Sequence, residues 1–401
     1  MGVLLFATSV MSQCLRNSTY PSLLPSSSSP THYELNLNLP DPNSITGPHL
    51  YNGTVVLTAY VSHLATSCIV LSAGPQLTVN TATYTVASSV GKLPLGNIYG
   101  NGAVATITHD RTNEMVVLGL MTATVDSLVA LTLTFTAAVN QDSPTGLFLS
   151  PNSVPAPTPQ PAADGLSSAK EALTQWRIKS NHRGRGQAGS ESQLRAKLNT
   201  AALAGTPMML ATQFEESDAR TAFPCFDEPA YKATWSMHVT LPTTTTLDVL
   251  FNTELTTRKT AASGGTTVYS FAQTKQVLPS YLIAFAVGHF DYLTRVSRGV
   301  RYRIVTPPGK AAWAALALNA TVHAAEHFGD AYNFSYSRMN TKMDQISVGG
   351  IDMDAMENQG LLTYAPQMLL LNPDASTLPP APLGNAGELI FKIDMALFII
   401  M

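Results

Sequence analysis

The run Tyr33-Glu34-Leu35-Asn36-Leu37-Asn38-Leu39 alternates apolar and polar residues at period two. Successive side chains of a strand point to opposite faces, so this pattern gives a strand one apolar face, whereas a helix would scatter it over every side. β-branched runs recur at 54–61, 104–108 and 128–136, separated by clusters of Pro, Gly, Asn and Asp. Residues 31–136 therefore predict short strands joined by turns, as a sandwich or saddle of antiparallel sheets and not as an alternating α/β fold. Strand patterns resume at 233–241, 266–271, 281–287 and 300–305.

Two breaks divide the chain. From Pro151 to Pro161 the sequence is Pro-rich, and it then stays polar to about 205. Such a segment cannot bury enough apolar surface to offset its ordering entropy, which predicts a flexible insertion over 151–205 within a β domain spanning 31–297. Its basic residues Arg177, Lys179, Arg183, Arg185, Arg195 and Lys197 are opposed only by Glu191, and without interleaved aromatics they read as a solvated loop. The second break is a helical pattern over 310–328, with Trp313, Ala317, Ala320, Ala324 and Phe328 on one face. It opens a second, α/β-containing domain expected over 298–401, and residues 1–30 read as an N-terminal extension.

At 401 residues the chain is long enough for two or three domains. Charged residues make up only 12% of it, against roughly 25% in an average domain. The net charge of −3 gives no electrostatic reason to expect nucleic acid or an anionic membrane as partner. No uninterrupted apolar stretch reaches the roughly 20 residues of a spanning helix. Cys14, Cys68 and Cys225 contain no C-x-x-C pair, so neither a zinc ribbon nor a disulfide framework is expected. Met1 to Phe6 faintly resembles a signal core but lacks a preceding Lys or Arg. The sequons at Asn17, Asn52, Asn319 and Asn333 would matter only in a secretory compartment, and the chain is expected to be cytoplasmic in preference to secreted.

Two segments combine carboxylates, amides and Gly or Pro breaks. The first is Thr212-Gln213-Phe214-Glu215-Glu216-Ser217-Asp218-Ala219-Arg220, continuing through Phe223-Pro224-Cys225-Phe226-Asp227-Glu228-Pro229. The second is Gly349-Gly350-Ile351-Asp352-Met353-Asp354-Ala355-Met356-Glu357-Asn358-Gln359-Gly360-Leu361. Together they resemble the zinc aminopeptidases of the aminopeptidase N and puromycin-sensitive type, gluzincin metallopeptidases. The first segment is similar to their T-Q-F-E-x-x-D-A-R signature, and the second to their G-A-M-E-N exopeptidase motif. His32-Tyr33-Glu34-Leu35, Leu278-Pro279-Ser280-Tyr281 and Val305-Thr306-Pro307-Pro308-Gly309-Lys310 match in order, so the resemblance runs over about 31–371, the insertion excepted.

The resemblance implies that Glu215 and Glu357 face one another and hold the free α-amino group of a peptide. An α-ammonium, with an ordinary pKa of about 7.7 to 8.0, suits two carboxylates. By the same resemblance Gln213 lines the pocket for the first side chain, and Ala355, Met356 and Asn358 belong to the loop along the peptide backbone. Asp354 departs from the family's glycine, either reinforcing amine binding or obstructing the cleft. Cys225 and Asp227-Glu228-Pro229 are expected to pack and turn the chain.

In the resembled family zinc is held by H-E-x-x-H on a helix some thirty residues after the exopeptidase motif, with a Glu ligand and a transition-state Tyr further on. Histidines at i and i+4 share one helix face, so both can reach one metal while the Glu polarises its water. The corresponding stretch here reads Asn385-Ala386-Gly387-Glu388-Leu389-Ile390-Phe391-Lys392-Ile393. Either Glu388 occupies the general-base position, with Gly387 and Phe391 where histidines belong, or the tail from about Gly387 is unrelated to that helix. In both cases no zinc ligand matches. His323-Ala324-Ala325-Glu326-His327 fits the inverted motif H-x-x-E-H, but it falls in a family segment that carries no metal, so His323 and His327 are read as helix-surface residues.

The expected fold is mainly β, an N-terminal β-sandwich or saddle domain followed by the truncated start of a thermolysin-like α/β catalytic domain. The resemblance implies zinc-dependent removal of N-terminal amino acids as the lineage activity. For this chain it implies peptides with a free N-terminus as partners, no bound zinc and no catalysis alone. The alternative is a non-catalytic module that binds peptide N-termini or proteins.

Overall fold

The computed structural model describes residues 23–62, 66–87, 98–104, 106–124, 126–154, 206–243, 246–372 and 393. Among them the strands form four sheets, and these described residues are mostly β.

The largest sheet has nine strands. In spatial order they are Leu255–Thr260, Thr266–Phe271, Lys232–Pro242, Ser28–Asn38, His49–Val61, Ser127–Val139, Thr78–Ala87 and Ile98–Ala103, with Leu278–Pro279 beside Lys232–Pro242. Its pairings are antiparallel except that Ser28–Asn38 runs parallel to Lys232–Pro242. There Tyr33 lies opposite Trp235, their rings stacked 3.9 Å apart. The period-two pattern is realised directly: Tyr33, Leu35 and Leu37 are buried while Glu34 and Asn36 are partly exposed. A three-stranded sheet of Thr66–Ser72, Met115–Thr124 and Thr106–Asp110 shares this core.

Asp248–Phe251, Phe285–Gly288, Met208–Gln213 and Gly146–Pro151 make a four-stranded sheet. Gly146–Pro151 and Met208–Gln213 are antiparallel neighbours with Pro151 opposite Met208, so the two flanks of the expected insertion meet side by side. Residues 155–205 of that insertion lie outside the described residues.

The last sheet has the order Asp291–Ser297, Val300–Thr306, Lys342–Ser347, Leu361–Tyr364, Ala355–Met356. Its three central strands are parallel, and the helix Ala315–Ala331 makes the connection between the first two of them. The helix is buried through Ala317, Leu318, Thr321, Val322, Ala324 and Ala325, a stripe centred on Leu318 and Val322 and rotated from the face drawn through Trp313 and Ala320. Phe148, Met209, Ala211, Leu250, Ala284 and Ala286 from the four-stranded sheet pack against Val305, Ile346 and Leu361 of this one, forming a seam between the two sheets.

Two expectations are corrected. The strand expected at 281–287 is a 3-10 turn at Ser280–Leu282 followed by the strand Phe285–Gly288, because Ser280 is held by Asp227 and Ile283 N closes the turn onto Ser280 O. Cys68 is disulfide-bonded, whereas Cys225 is a buried free thiol.

Candidate functional site

Gln213 ends a strand of the four-stranded sheet, and Phe214 follows it into the core, edge-on to Phe223 and Phe285. Phe214 O then accepts from Asp218 N at 2.9 Å, so Glu215, Glu216 and Ser217 are looped out to solvent between two anchored residues. The Glu215–Glu216 peptide is cis. The remainder of this segment is structural. Asp227, 2% exposed, accepts from Arg220 N and Nε through Oδ2, at 3.1 and 3.0 Å, and from Ser280 Oγ through Oδ1 at 2.6 Å. Phe226 N donates to Tyr33 OH at 2.9 Å, and burial pushes the Cys225 thiol well up.

The second segment is built at the seam. Ser150 Oγ donates to Gly349 O at 2.8 Å, and a Cβ on Gly349 would stand 2.6 Å from Pro151 O, which accounts for glycine there. Ala355–Met356 then pairs with Leu361–Tyr364, and Met356 and Asn358 are buried. Asn358 O accepts from Leu361 N at 3.0 Å and closes the turn that carries Glu357, which stays partly exposed. Asp354 is exposed at the rim, its carbonyl accepting from Ala365 N at 3.0 Å.

These two segments meet electrostatically. Partial burial raises the Glu215 carboxyl above its ordinary value, and the charges of Glu357 and then Glu216 raise it further. The Tyr281 phenol is raised by burial, then by Glu357 and Glu215. The buried Tyr364 phenol is raised by burial and by Glu357. Glu357 thus acts on Glu215, Tyr281 and Tyr364, and Glu215 also acts on Tyr281. Gln213, 4% exposed, adds a side-chain Nε2 with no hydrogen-bond partner among the described residues.

The sequence reading missed three parts of the site. Tyr281 lies in a motif quoted only as a match, so its place beside both carboxylates had no signal. Asn252, fully buried, follows a strand and precedes a Thr, a context that reads as a turn. Lys342 and Asp344 are buried ions in a central strand: Lys342 Nζ donates to Asp344 Oδ2 and to Gly360 O, each at 2.8 Å, and Arg303 bridges both Asp344 oxygens.

Among the described residues there is no group of three or more His, Cys, Asp or Glu that could hold a metal ion. His323 and His327 are exposed on the helix with ring centroids 6.5 Å apart, and Glu326 accepts from the Ser297 hydroxyl. Glu388 lies outside the described residues, and no H-E-x-x-H occurs anywhere in the sequence. Among the described residues no helix is long and apolar enough to cross a membrane.

A family model described as the Peptidase M1 N-terminal domain matches residues 197–282, the stretch that carries Glu215 and Tyr281. The chain is 38% identical over 175 residues to puromycin-sensitive aminopeptidase of Caenorhabditis elegans, covering 43% of this chain and 18% of that protein. These matches support identification as the N-terminal portion of an M1 aminopeptidase. It is also similar to alanine/arginine aminopeptidase of Saccharomyces cerevisiae, 35% identical over 184 residues, covering 46% of this chain and 21% of that protein. With aminopeptidase N of Acetobacter pasteurianus it shares 32% identity over 195 residues, 48% of this chain and 52% of that protein. The matches therefore span from about a fifth to about half of these relatives' lengths and correspond to the N-terminal portion of an M1 protein. The M1 family is generally zinc-dependent, and its members act on peptides.

Proposed function

We propose that this M1-family chain recognises the free N-terminus of peptides, with Glu215 and Glu357 as the amine anchors. The observation that carries this reading is the mutual field of Glu215 and Glu357, more than a hundred residues apart in sequence, with Tyr281 beside both. A bound α-ammonium would relieve the repulsion between the carboxylates and donate charge-assisted hydrogen bonds to them. Gln213 Nε2, without a partner among the described residues, would donate to a polar group of the first residue. Ala355, Met356 and Asn358 form the ledge along the peptide backbone, and Asp354, exposed at its rim, adds negative charge on the side from which a cationic terminus arrives.

Hydrolysis in this lineage is zinc chemistry, and the ligand pattern for it is absent from the sequence. The chain by itself therefore binds without turning over, the portion from about 298 onward corresponding to the opening of the family's catalytic domain. Each hydrogen bond to a charged group contributes about 1.5 to 3 kcal/mol when desolvated, and much less where water reaches the carboxylates. Glu215 is exposed, so affinity near millimolar, about −4 kcal/mol, is expected. Calorimetric titration with a short peptide and its N-acetylated twin tests the reading, alongside an aminopeptidase assay and zinc analysis of dialysed protein. Preference for the free amine without turnover is the expected result. Equal binding of the two peptides would remove the anchor assignment, and turnover with one firmly bound zinc would overturn the non-catalytic half of the proposal.

A further inference from the structure

Glu215 and Glu357 are both on loops, yet a site for one ammonium needs a fixed separation between them. At the seam lies Asn252, whose exposure is 0% and whose carboxamide joins the two sides. Its Nδ2 donates to Leu282 O at 2.9 Å and to Gln359 O at 2.8 Å, while its Oδ1 accepts from Ala284 N at 2.8 Å. Both amide protons and the amide oxygen are used, and each partner is a backbone group, so the carboxamide fixes chain positions and not side-chain rotamers.

Those positions lead to both carboxylates. Next to Ala284, Phe285 N donates to Thr212 Oγ1 at 3.0 Å and Thr212 Oγ1 returns to Phe285 O at 3.3 Å, three residues before Glu215. On the other side Gln359 is two residues after Glu357. The adjoining Gly360 has φ +82°, and a Cβ on it would stand 2.1 Å from Asn252 O and 2.4 Å from Asn340 Nδ2. Asn340 Nδ2 itself donates to Asn252 O at 2.9 Å, and Gly360 O is held by Lys342 Nζ and by Asp344 N. The loop carrying Glu357 is thereby pressed onto the backbone of Asn252, an approach that only glycine permits.

We infer that Asn252 is a positioning residue that sets the separation between Glu215 and Glu357 across the seam between the four-stranded and five-stranded sheets, with Gly360 as its steric counterpart. The inference rests on the amine-anchor reading for its functional meaning and on the hydrogen bonds alone for its geometry. Asn252 bonds directly beside the Glu357 loop at Gln359 and reaches the Glu215 loop through Ala284, Phe285 and Thr212.

The test separates the two. In the full chain carrying isotope-labelled Glu, the NMR titration of the Glu215 carboxyl is followed with and without Glu357→Gln, first in the parent and then in Asn252→Leu, an isosteric change that deletes all three bonds. The parent should titrate lower once Glu357 is removed, and the Asn252→Leu background should give the same Glu215 titration with and without that change. Where Asn252→Leu does not fold, Gly360→Ala reports the same quantity from the opposite side. Folded variants should also lose the preference for a free over an acetylated peptide N-terminus. A variant with a lowered melting temperature but undiminished Glu215–Glu357 coupling would overturn the inference, leaving Asn252 an ordinary buried amide. A parent that shows coupling without peptide preference would instead remove the amine-anchor reading while the titrations still decide the role of Asn252.

Discussion

Ser280 donates its hydroxyl to Oδ1 of Asp227 at 2.6 Å, and both residues are buried. The other carboxylate oxygen is taken by Arg220, so one Asp ties the first signature to the turn that presents Tyr281. Removing the carboxylate leaves a largely buried guanidinium with Asp227 O and, at 3.6 Å, Glu114 as its remaining partners among the described residues. Asp227→Ala should therefore cost about 3 to 5 kcal/mol in urea unfolding, and Ser280→Ala about 1 kcal/mol. Equal, small losses for both would show that the carboxylate is not the organising group.

Asp344 makes a pH-dependent contribution. Burial alone pushes its carboxyl up, but the Lys342 ammonium and the Arg303 guanidinium outweigh burial and hold it below the usual carboxylate range. A depressed folded value stabilises the protein above the unfolded value of about 3.9, and that contribution is lost as pH falls through the folded one. Asp344→Asn should lower stability at neutral pH and flatten the acid limb of a stability–pH curve below about pH 4. An unchanged acid limb would contradict this assignment.

Asp218 carries the opposite sign. Burial and then the charges of Asp227 and Glu114 push its carboxyl up to about 6. A raised folded value stabilises the protein below the unfolded value, and that contribution is lost as pH rises through about 6. Asp218 caps the turn Ala219–Ala222 without a side-chain bond, so an uncharged amide sacrifices little there. Asp218→Asn should raise stability at pH 7 by about 1 kcal/mol, allowing for solvent screening, and have little effect near pH 4. Thermal melts at the two pH values check both halves.

The extent to which the sequence announced this molecule follows from local physics. Tyr33, Leu35 and Leu37 came out buried as period two requires, because alternation is a property of the strand itself. The turn at Ser280–Leu282 was hidden in an apolar run, since its cause is Asp227, fifty-three residues away in sequence. Glu215 and Glu357 were found through motif resemblance, while Asn252 and the Lys342–Asp344 pair, defined only by tertiary partners, left no local pattern.

Peptide binding should follow a bell-shaped pH dependence. Glu215, raised by burial, Glu357 and Glu216, must be ionised to hold an ammonium, so affinity falls as acid protonates it. On the alkaline side the peptide amine loses its proton near pH 8, at roughly 7.7 to 8.0. Glu357→Gln removes a neighbour that raises Glu215, so it should shift the acid limb to lower pH while weakening binding overall. An acid limb that stays in place in Glu357→Gln would mean that Glu215 does not control it.

The central claim, that Glu215 and Glu357 act together on one ammonium, is tested most directly by a double-mutant cycle. Calorimetry would measure the free-amine peptide and its N-acetylated twin against the parent, Glu215→Gln, Glu357→Gln and the double variant. The account predicts that each single substitution removes most of the discrimination, about tenfold or 1.4 kcal/mol, and that the double variant loses little more than either. Strictly additive losses, or discrimination that survives both substitutions, would contradict it.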